Sequence, residues 1–201
     1  MQSLWMVVAS FLFAAMGVCV KLAADTFSAP EIVFYRSAIS LLLMFGLMRL
    51  RGIGFATPNL RHQIFRGASG FVSLLMYFYA IAMLPLATAV TLNYTSPIFL
   101  ALYFAAFAGM RLRGGMIVAL VIGFVGVVVL LRPTLQAEQL LGGLIALGSG
   151  IVSGFAYFNV RELGARGEPE TRTVFYFSLV SSVGAGFWLL FSEIHRVDLH
   201  S

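Results

Sequence analysis

A guanidinium inside an apolar run is the costliest group in this sequence, and Arg36 is one: it lies a turn or two into a hydrophobic stretch at 30–48. Placing it within a bilayer costs between about 2.5 and 10 kcal/mol unless water, a protein partner or a substrate compensates it. One reading makes Arg36 a binding group for a carboxylate or phosphate. The other lets it snorkel to the headgroups, with Glu31 as counter-charge. Lys21 lies near the same membrane face and reads first as an interfacial snorkel. If both bases point into a common cavity, with Tyr35 beside Arg36, the site favours an anionic or zwitterionic solute.

A second constellation lies further along. Thr88, Thr91 and Thr95 fall within about 60° on a helical wheel, a hydroxyl stripe that serves helix packing or a cavity wall. Asn93 is on another face and is costly to leave unpaired. Pro97 removes a backbone donor and frees the carbonyl of Asn93, so a bent helix is expected there. Transporters place binding sites at such bends, which makes Asn93, Tyr94, Thr95 and Pro97 candidate substrate-pathway residues. Tyr77 and Tyr79, with Tyr157 and Asn159, could line the same cavity or pack against neighbours and lipid.

The elements that position these groups follow from hydropathy. Residues 67–110 form 44 consecutive positions without an Asp, Glu, Lys, Arg or His, with Pro85 in the middle. A helix rising about 1.5 Å per residue needs roughly 20 apolar residues to cross a hydrocarbon core about 30 Å thick. That stretch is therefore two crossings and a tight turn. Over the whole chain, 60% of residues are hydrophobic, 10% are charged and mean hydropathy is +0.95. A water-soluble fold cannot hide so much apolar surface.

Charge-poor windows mark seven spans, at 4–24, 30–48, 66–84, 86–109, 115–132, 140–160 and 173–192, in an all-α, polytopic membrane bundle. The net charge of +5 does not signal nucleic-acid binding, because the bases lie between hydrophobic runs. Arg49, Arg51, Arg61, Arg66, Arg111, Arg113, Arg161, Arg166 and Arg172 fall on one side, against Lys21, Arg132 and Arg196 on the other. Lys and Arg accumulate on the cytoplasmic side, so the N-terminus is expected there, in a bacterial inner (plasma) membrane. Cys19 is the only cysteine and forms no internal disulfide.

Comparison of the chain with itself reveals a short repeat. Val33-Phe34-Tyr35-Arg36-Ser37-Ala38-Ile39-Ser40 matches Val174-Phe175-Tyr176-Phe177-Ser178-Leu179-Val180-Ser181 at five of eight positions. Val20-Lys21-Leu22 also matches Val160-Arg161-Leu163 once Glu162 is set aside. A period of about 140 residues contains five helices, an odd number, so the second copy enters the membrane from the opposite face. Inverted five-helix repeats are expected, in a parent of ten spans.

Spans one to five resemble the EamA domain of the drug/metabolite transporter superfamily. The likeness is carried by Leu84-Pro85-Leu86-Ala87-Thr88-Ala89, Leu92-Asn93-Tyr94-Thr95-Ser96-Pro97-Ile98-Phe99, and Gly123-Phe124-Val125-Gly126 ending at Arg132-Pro133. It implies a first five-helix unit at 4–133 and the first two helices of a second, inverted unit at 140–192, seven spans of an expected ten. It further implies a permease for small metabolites. Where that family commonly has Gly-Glu-Arg ending its fourth helix, this chain reads Gly109-Met110-Arg111. The counterparts of spans three to five are absent from the second unit, so the expectation is a fragment or truncated frame, or a chain that pairs with missing second-half helices or another copy.

Enzymes leave a different inventory: no paired histidines at metal spacing, no Gly-x-Ser-x-Gly, no phosphate loop and no mid-span acid is present, and His62, His195 and His200 lie in loops or the tail. The expectation is a non-enzyme with no cofactor and no metal site: a secondary transporter moving a small metabolite, amino-acid-like or drug-like solute across the lipid bilayer by alternating access. The alternative is a non-transporting membrane subunit or scaffold, or an inactive fragment.

Overall fold

The structure, a computed structural model, describes residues 2–109, 114–131 and 137–191. Met110 and Arg111, Arg132-Pro133, and the tail with His195, Arg196 and His200 lie outside the described residues.

The chain folds into helices throughout, with no strand among the described residues: α1 (Gln2–Ala23), α2 (Ala29–Leu50), α3 (Leu60–Met83), α4 (Leu86–Asn93), α5 (Ser96–Phe107), α6 (Gly114–Leu131), α7 (Ala137–Ala165) and α8 (Glu170–Leu189). Four stretches, Ala29–Leu50, Leu60–Met83, Leu86–Phe107 and Leu140–Ala165, are long and apolar enough to cross a membrane by length and composition. The molecule is a polytopic helical membrane bundle.

Local sequence explains the helix ends. At the start of α2 the Glu31 carboxylate accepts hydrogen bonds from the Ser28 backbone N–H (2.7 Å) and hydroxyl (2.8 Å), and Pro30 occupies the first turn, where its missing donor costs nothing. The α3 helix begins at Leu60, about two turns before the apolar run, and so contains Arg61 and Arg66, which hydropathy alone leaves in the preceding loop or at the edge of the span. It ends at Met83 because Pro85 follows, leaving carbonyls without helical donors. Lys21 of α1 fills that gap: its ammonium donates to the carbonyl oxygens of Ile81 (2.7 Å), Ala82 (3.3 Å) and Leu84 (3.0 Å). A cation on the negative end of a helix is also electrostatically favoured.

The two copies of the repeated octapeptide meet. Ser178 of α8 hydrogen-bonds Ser40 of α2 at 2.9 Å, while the Phe34 ring lies beside Gly186. Low positions of α2 thus face high positions of α8, an antiparallel packing. Ser37 and Ser181, the repeat counterparts of Ser178 and Ser40, are level in this register; both are buried with no hydrogen-bond partner for their hydroxyls.

Opposite ends of the bundle are closed differently. Near the Pro85 turn, Val20, Val33, Phe78, Ile81, Leu84, Ala146 and Ala185 belong to one apolar core. At the other end, polar groups join the α2–α3 loop to the α7–α8 loop. Glu168 accepts from Thr57, from Asn59 Nδ2 (2.9 Å) and from Arg172 Nη1 (2.9 Å); Arg172 Nε donates to the Gly54 carbonyl (2.9 Å), and the Tyr176 hydroxyl to that of Phe55 (3.0 Å). Burial alone would raise the Glu168 carboxyl, but the hydrogen bonds from Thr57, Asn59 and Arg172 and the Arg172 charge outweigh it and hold the group below its ordinary value.

Candidate functional site

The fourth span is broken where Asn93 and Pro97 predict a bend: α4 stops at Asn93, Tyr94 and Thr95 form a turn, and α5 begins at Ser96. Irregular backbone at membrane depth must be covered by protein or face water. Here it is covered by the glycines of α7. A methyl on Gly154 would lie 3.0 Å from both the Ser96 carbonyl oxygen and the Leu100 nitrogen, and Gly150 is as close to the turn itself. Only a side chain of one hydrogen lets the backbones approach so closely.

Polar side chains pin the same contact. Asn93 Nδ2 donates to Ser149 Oγ (2.9 Å), which donates to the Ala146 carbonyl (2.6 Å). Ser73 of α3 donates to the Ser149 carbonyl (3.0 Å) and is hydrogen-bonded to Ser153. Ser73, Ser149 and Ser153 therefore hold α3, α4 and α7 together.

Beside this knot lies a cavity of about 670 Å³, bounded by α1, α2, α3, α4, α7 and α8. Five of the residues singled out in the sequence line this cavity: Arg36, Tyr77, Asn93, Tyr94 and Tyr157. Tyr94 remains 64% exposed, so the cavity is open beside it. Phe13 and Met16 of α1 and Leu86 and Val90 of α4 supply apolar wall. Among the described residues, no Asp or Glu lines the cavity.

The other candidates are placed elsewhere. Lys21 caps α3, and Tyr35 is exposed, its ring edge-on to Phe27 and Phe34. Thr95 is buried, its hydroxyl donating to the Leu92 carbonyl (2.7 Å), and Thr91 likewise donates to Ala87 (2.8 Å). Pro97 is exposed in the first turn of α5. Asn159 donates to the Phe155 carbonyl of its own helix (2.9 Å). Glu31, considered in sequence as a partner for Arg36, is buried and engaged with Ser28.

Sequence reasoning missed Arg66, which lines the cavity from α3. Its guanidinium carbon lies 4.6 Å from the centroid of the Phe177 ring on α8, a cation–π stack. Nε and Nη1 are buried without a hydrogen-bond partner. The available signal was Gly70, one helical turn on, which leaves the guanidinium room against the helix. Two cations and several amide, hydroxyl and phenol groups on an otherwise apolar wall can bind a small anionic solute.

Residues 1–132 match the EamA-like transporter family. Over 179 residues the chain is 36% identical to the pseudopaline exporter CntI of Pseudomonas aeruginosa, covering 89% of this chain and 63% of that protein. An uncharacterised transporter of Helicobacter pylori is 31% identical over 77% of this chain and 53% of its own length. A riboflavin transporter of Brucella anthropi is 22% identical over 92% of this chain and 66% of its own length. No solved structure matches the chain significantly. The chain thus spans just under two thirds of the length of the pseudopaline exporter, and it belongs to the EamA-like transporter family.

Proposed function

We propose that this chain carries the solute pathway of a secondary permease, in which a small metabolite with an anionic group passes through the cavity by alternating access. The observation that carries the reading is the cavity itself: six helices surround it, Arg36 reaches it from within a span, and among the described residues no lining carboxylate neutralises that charge. An intramembrane cation with no acid in its cavity is stabilised when a solute brings the negative charge. Asn93 and Tyr94, at the broken fourth span, supply directional contacts, and Tyr77 lines the same wall.

Several features support alternating access. The repeated helices α2 and α8 pack antiparallel, as inverted copies do, and the two ends of the bundle are closed by different means, one apolar and one polar. Arg49, Arg51, Arg61, Arg161, Arg166 and Arg172 lie in or beside the two loops joined through Glu168, which favours a cytoplasmic location for that face and for Met1, in a bacterial inner membrane. Among the described residues, no group of three or more His, Cys, Asp and Glu could hold a metal ion. The relatives are named for different solutes, so kinship supports a transport role rather than a particular substrate.

The test is transport in cells or proteoliposomes by the protein, wild type against Arg36→Gln. Loss of flux with unchanged membrane abundance is expected. Equal flux would remove Arg36 from the pathway.

A further inference from the structure

Arg66 was counted among the loop bases, yet its side chain does not turn back toward the near end of its helix. Nη1 lies 2.1 Å from where a methyl on Gly70 would stand, so the guanidinium extends one turn deeper into the bundle. An arginine that merely snorkels runs the other way, to the headgroups. Phe177 closes the opposite side, its ring 2.8 Å from the same Gly70 methyl position. Gly70 and the flat ring thus make a slot that holds a planar cation, with two buried nitrogens of that cation unsatisfied.

Arg36 reaches the cavity from the other end. The α2 helix runs from Ala29 toward the loop that leads into α3, so the starts of α2 and α3 lie at opposite ends of the bundle. At 1.5 Å per residue, Arg36 is about 10 Å in from the Ala29 end and Arg66 about 9 Å in from the Leu60 end. Between them the described residues of the wall include no carboxylate. Two like charges share one cavity from opposite ends, and a single monoanion compensates only one of them.

We propose that the solute is a dianion with its acid groups at opposite ends of the molecule, one bound by Arg36 and the other by Arg66 in the Gly70–Phe177 slot. This rests on the reading of the cavity as the solute pathway and adds Arg66 as a second binding residue. Anionic lipid offers the same chemistry from another source.

The protein, purified in neutral detergent without anionic lipid, is titrated with straight-chain diacids from succinate to suberate and with the monoacids of the same chain lengths. Binding and thermal stabilisation are recorded. The best diacid is expected to bind about tenfold or more tightly than its matched monoacid, one charge-assisted contact's worth of affinity. Arg66→Gln removes that advantage, so that the diacid binds no more tightly than its matched monoacid; Arg66→Lys keeps part of it. Gly70→Ala displaces only the far end of the Arg66 side chain and the rim of the Phe177 ring, so it lowers diacid affinity without unfolding the protein and keeps the test decisive if Arg66→Gln folds poorly.

Equal affinity for diacids and monoacids, lost in Arg36→Gln and untouched in Arg66→Gln and Gly70→Ala, overturns the second site while leaving the single-arginine pathway standing. Stabilisation by phosphatidylglycerol with no diacid binding also overturns it and assigns the pair to lipid. Absence of binding by every acid overturns it too; the flux measurement on Arg36→Gln then decides separately whether the pathway reading survives.

Discussion

Gly150 of α7 rests against the Thr95 hydroxyl at the break between α4 and α5: a methyl group on Gly150 would stand 2.6 Å from Thr95 Oγ1 and 3.1 Å from the Leu92 carbonyl oxygen. That hydroxyl already serves the same carbonyl at 2.7 Å. Thr95 satisfies the break from within, and Gly150 seals it from outside.

Gly150→Ala is therefore expected to destabilise the protein by about 1–3 kcal/mol, because backbone of the broken span would have to move. Gly164→Ala, on the same helix with nothing within 4 Å of the added methyl, should be neutral or mildly stabilising through helix propensity. Thermal melts of the two variants in detergent make the comparison. Similar melting temperatures would mean that α7 does not seal the break.

Lys21 makes a different kind of contact, and its removal should be felt far along the chain. Lys21→Met keeps the length and apolar stem of the side chain but leaves the carbonyls of Ile81, Ala82 and Leu84 without this donor, a loss of about 1–2 kcal/mol for part-buried acceptors of a charged group. Stability should fall with little change in solute affinity, since Lys21 does not line the cavity. A substrate-binding role would show the reverse, with affinity lost at constant melting temperature.

These contacts show what a linear reading can and cannot reach. The helices are legible because the bilayer demands long apolar runs, and the break after Asn93 is legible because proline lacks a donor whatever surrounds it. Arg36 and Asn93 stand out in the sequence by the cost of polarity in lipid and Tyr94 by its place at the proline bend; with Tyr77 they share the cavity wall. Lys21 looked like a snorkel, since its carbonyl partners lie some 60 residues away and no local pattern announces them. Arg66 was hidden by hydropathy itself: the basic cluster with Arg61 and His62 reads as loop, although α3 starts at Leu60 and carries Arg66 inward. Whether an arginine points to headgroups or into a cavity depends on what lies across from it, here Phe177 on another helix.

The Glu168 clamp gives a pH dependence whose sign is fixed. Its carboxyl is held below the ordinary value in the folded protein, so folding favours the ionised form. The stabilisation is complete above the unfolded carboxylate range, about pH 4.3, and fades as pH falls through the lower folded value. Melting temperatures of wild type and Glu168→Gln should differ at neutral pH and converge in acid. A gap that stays constant with pH would show that the carboxylate charge contributes nothing to the clamp.

The shared polar end also fixes a topological expectation. Arg166 donates to Asn59 Oδ1 (3.4 Å) and lies 3.1 Å from the His62 ring nitrogen Nδ1, so the α2–α3 and α7–α8 loops occupy one face, whereas Thr26 in the α1–α2 turn lies at the other end of α2. If arginine retention sets the orientation, the first face is cytoplasmic. Cys19 is exposed and must first be replaced by serine to give a silent background. Single cysteines at Thr26 and at Arg166 are then treated with a membrane-impermeant maleimide on intact spheroplasts. Thr26→Cys should label at once and Arg166→Cys only after permeabilisation. The opposite pattern would invert the protein in the membrane and place Arg66, rather than Arg36, nearer the outer side.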